Sequence, residues 1–316
     1  MKNIKIAFFG LLLTSLCSLN SVLAQTKKSN KTAVTAVNAP TLFITVSDVK
    51  YAYRRFGNNK NIPLVFFQHF TGTLDNWDPA VLDGLSIDRE IIIFDNAGVS
   101  SSTGEVASNI EGIAATAINF IDALKLKKID LFGFSMGGFV AQQVALTRPD
   151  LIHKIILAGT GPKGGEGLES FSPEVWAMLK KTYTPADALL LDTFFSPTSS
   201  SQKAGQAFLE RLHLRKTERD IPINDKVIPA QLSAIAGWGK KGTGNYDYLK
   251  NITCPVLVVN GNNDLLFFTI NSYHLQQNLP NARLILYPNS NHGAIYQFPD
   301  EFVKQALLFL NDTTIK

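Results

Sequence analysis

Cysteine is almost absent. Of two in 316 residues, Cys17 lies in the N-terminal segment and Cys254 is left alone, so the rest of the chain holds no internal disulfide framework. Cys254 precedes an apolar run and reads as a small buried residue. Histidine is also scarce, with five in the chain, and no His-Glu-x-x-His or similar spacing points to a metal. No basic block interleaved with aromatics occurs, and two of the net +4 charges come from Lys2 and Lys5, so a nucleic-acid footprint is missing. Internal repeats and low-complexity tracts are absent as well.

No apolar run reaches the roughly 20 residues that span a bilayer. The one near the start, residues 6–19, is bracketed by Lys2 and Lys5 and by Val22 and Ala24 at the −3 and −1 positions of a cleavage site. Residues 1–24 therefore read as a secretory signal peptide, and the mature protein is expected to be periplasmic or extracellular, with no stable membrane insertion. Residues 25–40 are polar, carry Lys27, Lys28 and Lys31, and read as a flexible leader.

What remains is rich in apolar residues, 45% of the chain, enough for one large core or a core with an insertion. "TLFITVSDVKYAYRRFG" predicts two strands joined at Ser47-Asp48, the second with Val49, Tyr51 and Tyr53 facing inward and Lys50, Ala52 and Arg54 facing outward. Short apolar runs at 62–67, 90–95, 129–134, 153–159, 254–261 and 282–288 then alternate with helical patterns. One helix spans Ser108 to Leu124, with Ser108 and Glu111 as a capping box. Others follow Gly138, Asn271 and Pro299. Buried strands separated by helices imply a mostly parallel α/β sheet covered on both faces. The rhythm breaks at 163–245, where helical segments carry aromatics and no clear strand. That stretch reads as a helical lid inserted between core segments 41–162 and 246–316.

"IDLFGFSMGG" carries the strongest chemical signal. Gly133-Phe134-Ser135-Met136-Gly137 directly follows a strand and opens a helix, the setting of a nucleophile elbow. Gly133 and Gly137 avoid collisions around the tight turn, and the Met136 amide at the helix start can face a developing oxyanion. A serine hydroxyl needs a base. His153 precedes a strand on the side opposite the elbow, His213 lies in the insertion, His274 sits in a helix, and His69 follows the third strand. His292 remains, in a loop after the last strand at the edge that bears Ser135. Asp264 lies just past the preceding strand, giving the order Ser135, Asp264, His292 and a carboxylate to orient the imidazole.

On "QHFTGTLDNWDP" (68–79), "FDNAGVSSSTG" (94–104), "GFSMGG" (133–138) and "NGNND…NSNHG" (260–264, 289–293), the chain resembles the α/β-hydrolase family over residues 41–316. Within it the likeness is to bacterial hydrolases of the esterase, cofactor-free haloperoxidase and perhydrolase type. The resemblance implies an eight-stranded sheet and a second oxyanion amide after His69, at Phe70. Phe70 stands where the family often has Gly, and Ala97 and Ser100 replace an Arg and a Gly of the loop after the fourth strand. Asp95 in that loop reads as a structural acceptor. Gly159-Thr160-Gly161-Pro162-Lys163-Gly164 fits a dinucleotide fingerprint but lacks the helix and distant acid that a cofactor needs, so it reads as a hinge into the lid. Phe171 and Trp176 are candidates to line an apolar acyl pocket.

The expectation is a cofactor-free, exported serine hydrolase of small-to-medium carboxylic esters. Its rivals are perhydrolase, amide or carbon–carbon chemistry with the same triad, and a non-catalytic binding protein on the same fold. Pattern leaves the acyl group and the oligomeric state open.

Overall fold

The computed structural model describes residues 33–242 and 244–314, and the expected signal peptide falls outside them. Val34 onward forms one unit. Among the described residues no helix is long and apolar enough to cross a membrane.

Eight strands form one sheet: β1 (Leu42–Val46), β2 (Val49–Gly57), β3 (Leu64–Phe67), β4 (Glu90–Phe94), β5 (Ile129–Phe134), β6 (Ile152–Ala158), β7 (Val256–Gly261) and β8 (Ala282–Tyr287). Their order is β1-β2-β4-β3-β5-β6-β7-β8. β1 and β2 form a hairpin, with Ser47 and Asp48 at φ 50° and 63°, the turn in which both central residues have positive φ. β2 pairs antiparallel with β4, and every pair from β4 to β8 is parallel. The inner strands β3, β5 and β7 are buried along their whole length because helices cover both faces of the sheet, whereas the edge strand β8 is partly exposed.

α2 (Ile110–Ala123) and α3 (Met136–Thr147) pack on one face, α1 (Pro79–Ser86) and α10 (Pro299–Asn311) on the other. α8 (Ile270–Asn278) joins the α2/α3 face, and a short α9 (Ala294–Gln297) precedes α10. Between β6 and β7 lie α4 (Pro173–Lys180), α5 (Leu189–Phe194), α6 (Ser199–Leu212) and α7 (Val227–Gly239), with no strand among the described residues of 163–245. These four helices divide between the two cores. Val175 of α4 and Ala234, Ile235 and Trp238 of α7 join the α2/α3 cluster, whereas Phe194, Phe208, Leu209 and Leu212 of α5 and α6 join the α1/α10 cluster.

Three local readings shift. The N-cap of α2 is Asn109, not Ser108, because its side-chain oxygen accepts the Gly112 amide at 2.7 Å. β2 is not half-buried: Ala52 and Arg54 are buried along with Tyr51 and Tyr53. Arg54 is covered because its guanidinium bonds Asp75 at 2.7 Å and the carbonyl of Glu218, in the segment between α6 and α7. The third shift concerns the leader. Its end, residues 34–40, is packed rather than free: Ala36 and Ala39 are buried, and Arg215 donates to the carbonyls of Ala36, Val37 and Ala39.

The end of the sheet remote from the elbow is held by charge. Buried Asp130 bonds Arg89 at 2.7 Å and His153 Nδ1 at 2.8 Å. Lys154 donates to the carbonyls of Phe309, Leu310 and Asp312 at the end of α10, satisfying helix-terminal acceptors. His153 is thereby engaged far from Ser135, as its strand position implied.

Candidate active site

Ser135 links β5 to α3 with φ 58° and ψ −125°, a strained conformation for a residue with a Cβ. It persists because both flanks are fixed. The Ser135 amide donates to the carbonyl of Ala158 on β6, and its own carbonyl accepts Gly138 N–H. Gly137 is required by close approach, since a Cβ there would stand 2.0 Å from the Phe67 carbonyl oxygen. The turn thus pushes the serine toward the C-terminal edge of the parallel strands while α3 begins beneath it.

Asp264 and His292 meet at that same edge. Asp264 Oδ2 bonds His292 Nδ1 at 2.8 Å, and both side chains are fully buried. The other carboxylate oxygen accepts the amides of Leu266 and Phe267 at 2.9 and 3.0 Å, which fixes the carboxylate plane. His292 Nδ1 faces a carboxylate, which as an anion only accepts, so in the neutral ring Nδ1 carries the proton and Nε2 is bare. That Nε2 is buried and has no partner among the described residues. Ser135 and His292 flank one strand end: Ser135 is tied to Ala158, and a Cβ on Gly159 would lie 3.2 Å from His292 Cε1. No hydrogen bond joins Ser135 Oγ to His292 Nε2.

The two expected oxyanion donors are also at this edge. The amides of Phe70, after β3, and Met136, at the first position of α3, donate to no group among the described residues. The Phe70 loop is pinned from three directions. Thr71 N–H donates to Gln231 Oε1 of α7, Gln68 Nε2 donates to the Thr73 carbonyl, and Asp95 accepts the amide of Leu74. Asp95 is thus an acceptor that holds the loop. Burial pushes its pKa well up, and nearby Asp220 pushes the same way, against the Leu74 and Ser101 amides and Arg54.

Two site residues escape sequence reasoning. His69 is nine-tenths buried beside the site, with Nδ1 on the Phe70 carbonyl at 2.8 Å. Burial lowers its pKa to about 4, and His292 nearby adds to that, outweighing the opposing Phe70 carbonyl. The signal was its position after β3, at the same edge as Ser135. Phe194 of α5 packs on both imidazoles, its ring centroid 5.4 Å from His69 and 5.5 Å from His292. Its carbonyl accepts Gly293 N–H at 2.8 Å, and a Cβ on Gly293 would lie 2.6 Å from Phe194 Cβ. No sequence pattern flags such a contact, because it joins elements about a hundred residues apart.

Rings surround the site. Phe134 lies 5.1 Å and Phe267 5.4 Å from His292, and Phe171 stacks on Phe267 at 6.3 Å and meets Trp176 edge-on at 5.7 Å. Phe171 therefore reaches the site through Phe267, with Trp176 one ring further out. The buried cations Arg54, Arg89, Lys154 and Arg215 are each committed to carboxylates or carbonyls elsewhere. Among the described residues no cluster of three or more His, Cys, Asp or Glu side chains could hold a metal. The Gly159–Gly164 stretch opens no helix, since the next one is α4 at Pro173.

Residues 62–299 match the family model described as alpha/beta hydrolase fold. A solved alpha/beta hydrolase fold protein from Chitinophaga pinensis is 42% identical, with a TM-score of 0.83, and the match covers 88% of this chain and all of that one. A 2-hydroxy-6-oxononadienedioate/2-hydroxy-6-oxononatrienedioate hydrolase of Dechloromonas aromatica (strain RCB) is 26% identical over 74% of this chain and 79% of its own. An esterase from Rhodococcus sp. ECU1013 shares the fold alone, at 19% identity and a TM-score of 0.67 over 87% of this chain and 98% of that one.

Proposed function

The chain belongs to the α/β-hydrolase family and is an enzyme of that fold; from that premise we propose that it is an exported serine hydrolase of neutral carboxylic esters. Ser135 Oγ attacks the ester carbonyl as His292 Nε2 takes its proton. Asp264 holds the imidazole in the tautomer that leaves Nε2 free and stabilises the imidazolium that forms. The amides of Phe70 and Met136 receive the oxyanion. His292 returns the proton to the leaving alcohol, and water then cleaves the acyl-enzyme by the reverse sequence of proton transfers.

One observation carries this reading: the buried Asp264–His292 pair presents an unpartnered Nε2 at the edge where the strained turn holds Ser135. The ring-lined surroundings, with the buried cations committed elsewhere, favour an uncharged acyl group. This differs from the dicarboxylate in the name of the Dechloromonas relative. The cap helices α4 to α7 act as the lid that substrate must pass, because Ser135, Asp264 and His292 are all buried beneath the surface.

The test is an ester panel that varies acyl length and charge, run on wild type and Ser135→Ala. Neutral esters should be turned over, dianionic analogues should show much higher KM, and Ser135→Ala should lose about 10⁴- to 10⁶-fold in kcat. Wild-type turnover by Ser135→Ala would refute the nucleophile, and equal KM for the dianion would refute the neutral-pocket reading.

A further inference from the structure

The mechanism above uses one imidazole, yet the site holds two. His69 and His292 repeat one arrangement. Each presents Nδ1 to an oxygen acceptor at 2.8 Å, the Phe70 carbonyl in one case and the Asp264 carboxylate in the other. In the neutral rings each Nδ1 is therefore the protonated nitrogen and each Nε2 a bare acceptor. Both Nε2 atoms are buried and unpartnered among the described residues. Both rings pack on Phe134 and on Phe194, with centroids between 5.1 and 5.7 Å from them. A buried acceptor without a donor is costly, and two beside one reacting centre ask for a molecule with two donors.

We propose that His69 is a second catalytic residue, which holds the hydrolytic water during deacylation. This rests on the acyl-enzyme reading above. Water donates one O–H to His292 Nε2 and the other to His69 Nε2, which turns an oxygen lone pair toward the acyl carbon. As the water oxygen bonds that carbon, its first proton passes to His292. The tetrahedral intermediate then expels Ser135 Oγ, which takes the proton back, and the free acid leaves. His69 accepts a hydrogen bond throughout and transfers no proton. Its burial keeps it neutral at working pH, with its pKa lowered to about 4, as an acceptor must be.

The chemistry of the acceptor molecule supplies a discriminating test. Methanol has a single O–H, which His292 takes, so it has no use for a second acceptor. Wild type, His69→Leu and His69→Gln are given p-nitrophenyl butyrate in water–methanol mixtures, and methyl butyrate and butyrate are quantified. The p-nitrophenol burst counts competent sites, so a poorly folded fraction does not alter the product ratio. His69→Leu should raise the methanolysis-to-hydrolysis ratio about tenfold, the scale of one lost hydrogen bond. His69→Gln, whose amide oxygen can still accept, should restore most of the wild-type ratio. An unchanged ratio in His69→Leu with the burst intact overturns the role of His69 alone, even if both rates fall together. A burst that survives Ser135→Ala removes the acyl-enzyme and overturns both readings.

Discussion

His69 gives the stability of the protein a pH dependence of its own. Its pKa in the folded state is about 4, below the ordinary histidine value, because burial disfavours the charged ring. Between about pH 6.5 and about 4 the unfolded chain binds a proton there that the folded chain does not, so stability falls as pH falls through that window. Asp95 acts in the opposite sense: its folded pKa is raised, so the folded state gains relative stability as pH drops and its carboxyl protonates. The difference between wild type and His69→Gln separates the two. Chemical denaturation from pH 7 to 4 should show wild type losing on the order of 3 kcal/mol more than His69→Gln, and parallel curves would contradict the buried neutral imidazole. The candidates Ser135, Asp264 and His292 can be nominated from the sequence because each follows a strand that ends at one edge of a parallel sheet. His69 meets the same condition in the sequence, but a serine needs only one base, and the burial that distinguishes His69 exists only once Phe194 of α5 packs on it.

Among the elements, α5 and the loop after β8 act as a pair. Gly293 follows His292 directly, donates its amide to the Phe194 carbonyl and leaves no room for a Cβ against that residue. Gly293→Ala should push α5 and the His292 loop apart, lowering kcat by about tenfold or more, as misplacement by an ångström can. Its Tm should drop by only a few degrees, the cost of about 1 kcal/mol. Steady-state kinetics and a thermal melt report the two quantities separately, and an unaltered kcat would show that the loop holds His292 without α5. Strand positions were readable to within a residue or two because apolar runs bounded by turn residues identify buried parallel strands. The faces of β2 were not. Alternation of Val49, Tyr51 and Tyr53 with Lys50, Ala52 and Arg54 suggested a solvated side, but the Asp75 carboxylate and the Glu218 carbonyl supply Arg54 with buried partners. Long-range partners of this kind leave no periodic trace. The same holds for residues 34–40, polar enough to read as free, yet tied down by three bonds from Arg215.

For the whole molecule, export is the reading with the simplest check. Residues 1–24 carry the charge, apolar run and small-residue pattern of a cleaved signal, so expression in a bacterium with a secretory pathway should yield a mature N-terminus at Gln25. Intact-mass measurement of the periplasmic fraction decides it, and a cytoplasmic product that keeps Met1 would refute it. If helices α4 to α7 form the lid proposed above, their division between the two hydrophobic cores has a consequence for anyone who wishes to alter which substrates enter. Helix α4 contributes Val175 to the α2/α3 side, and its Trp176 packs on Phe171 rather than on either imidazole. Helix α5 differs, because its Phe194 packs on both imidazoles. A chimera that imports a new entrance should therefore be spliced to spare residues 189–196; one spliced through them would change catalytic power and substrate choice together.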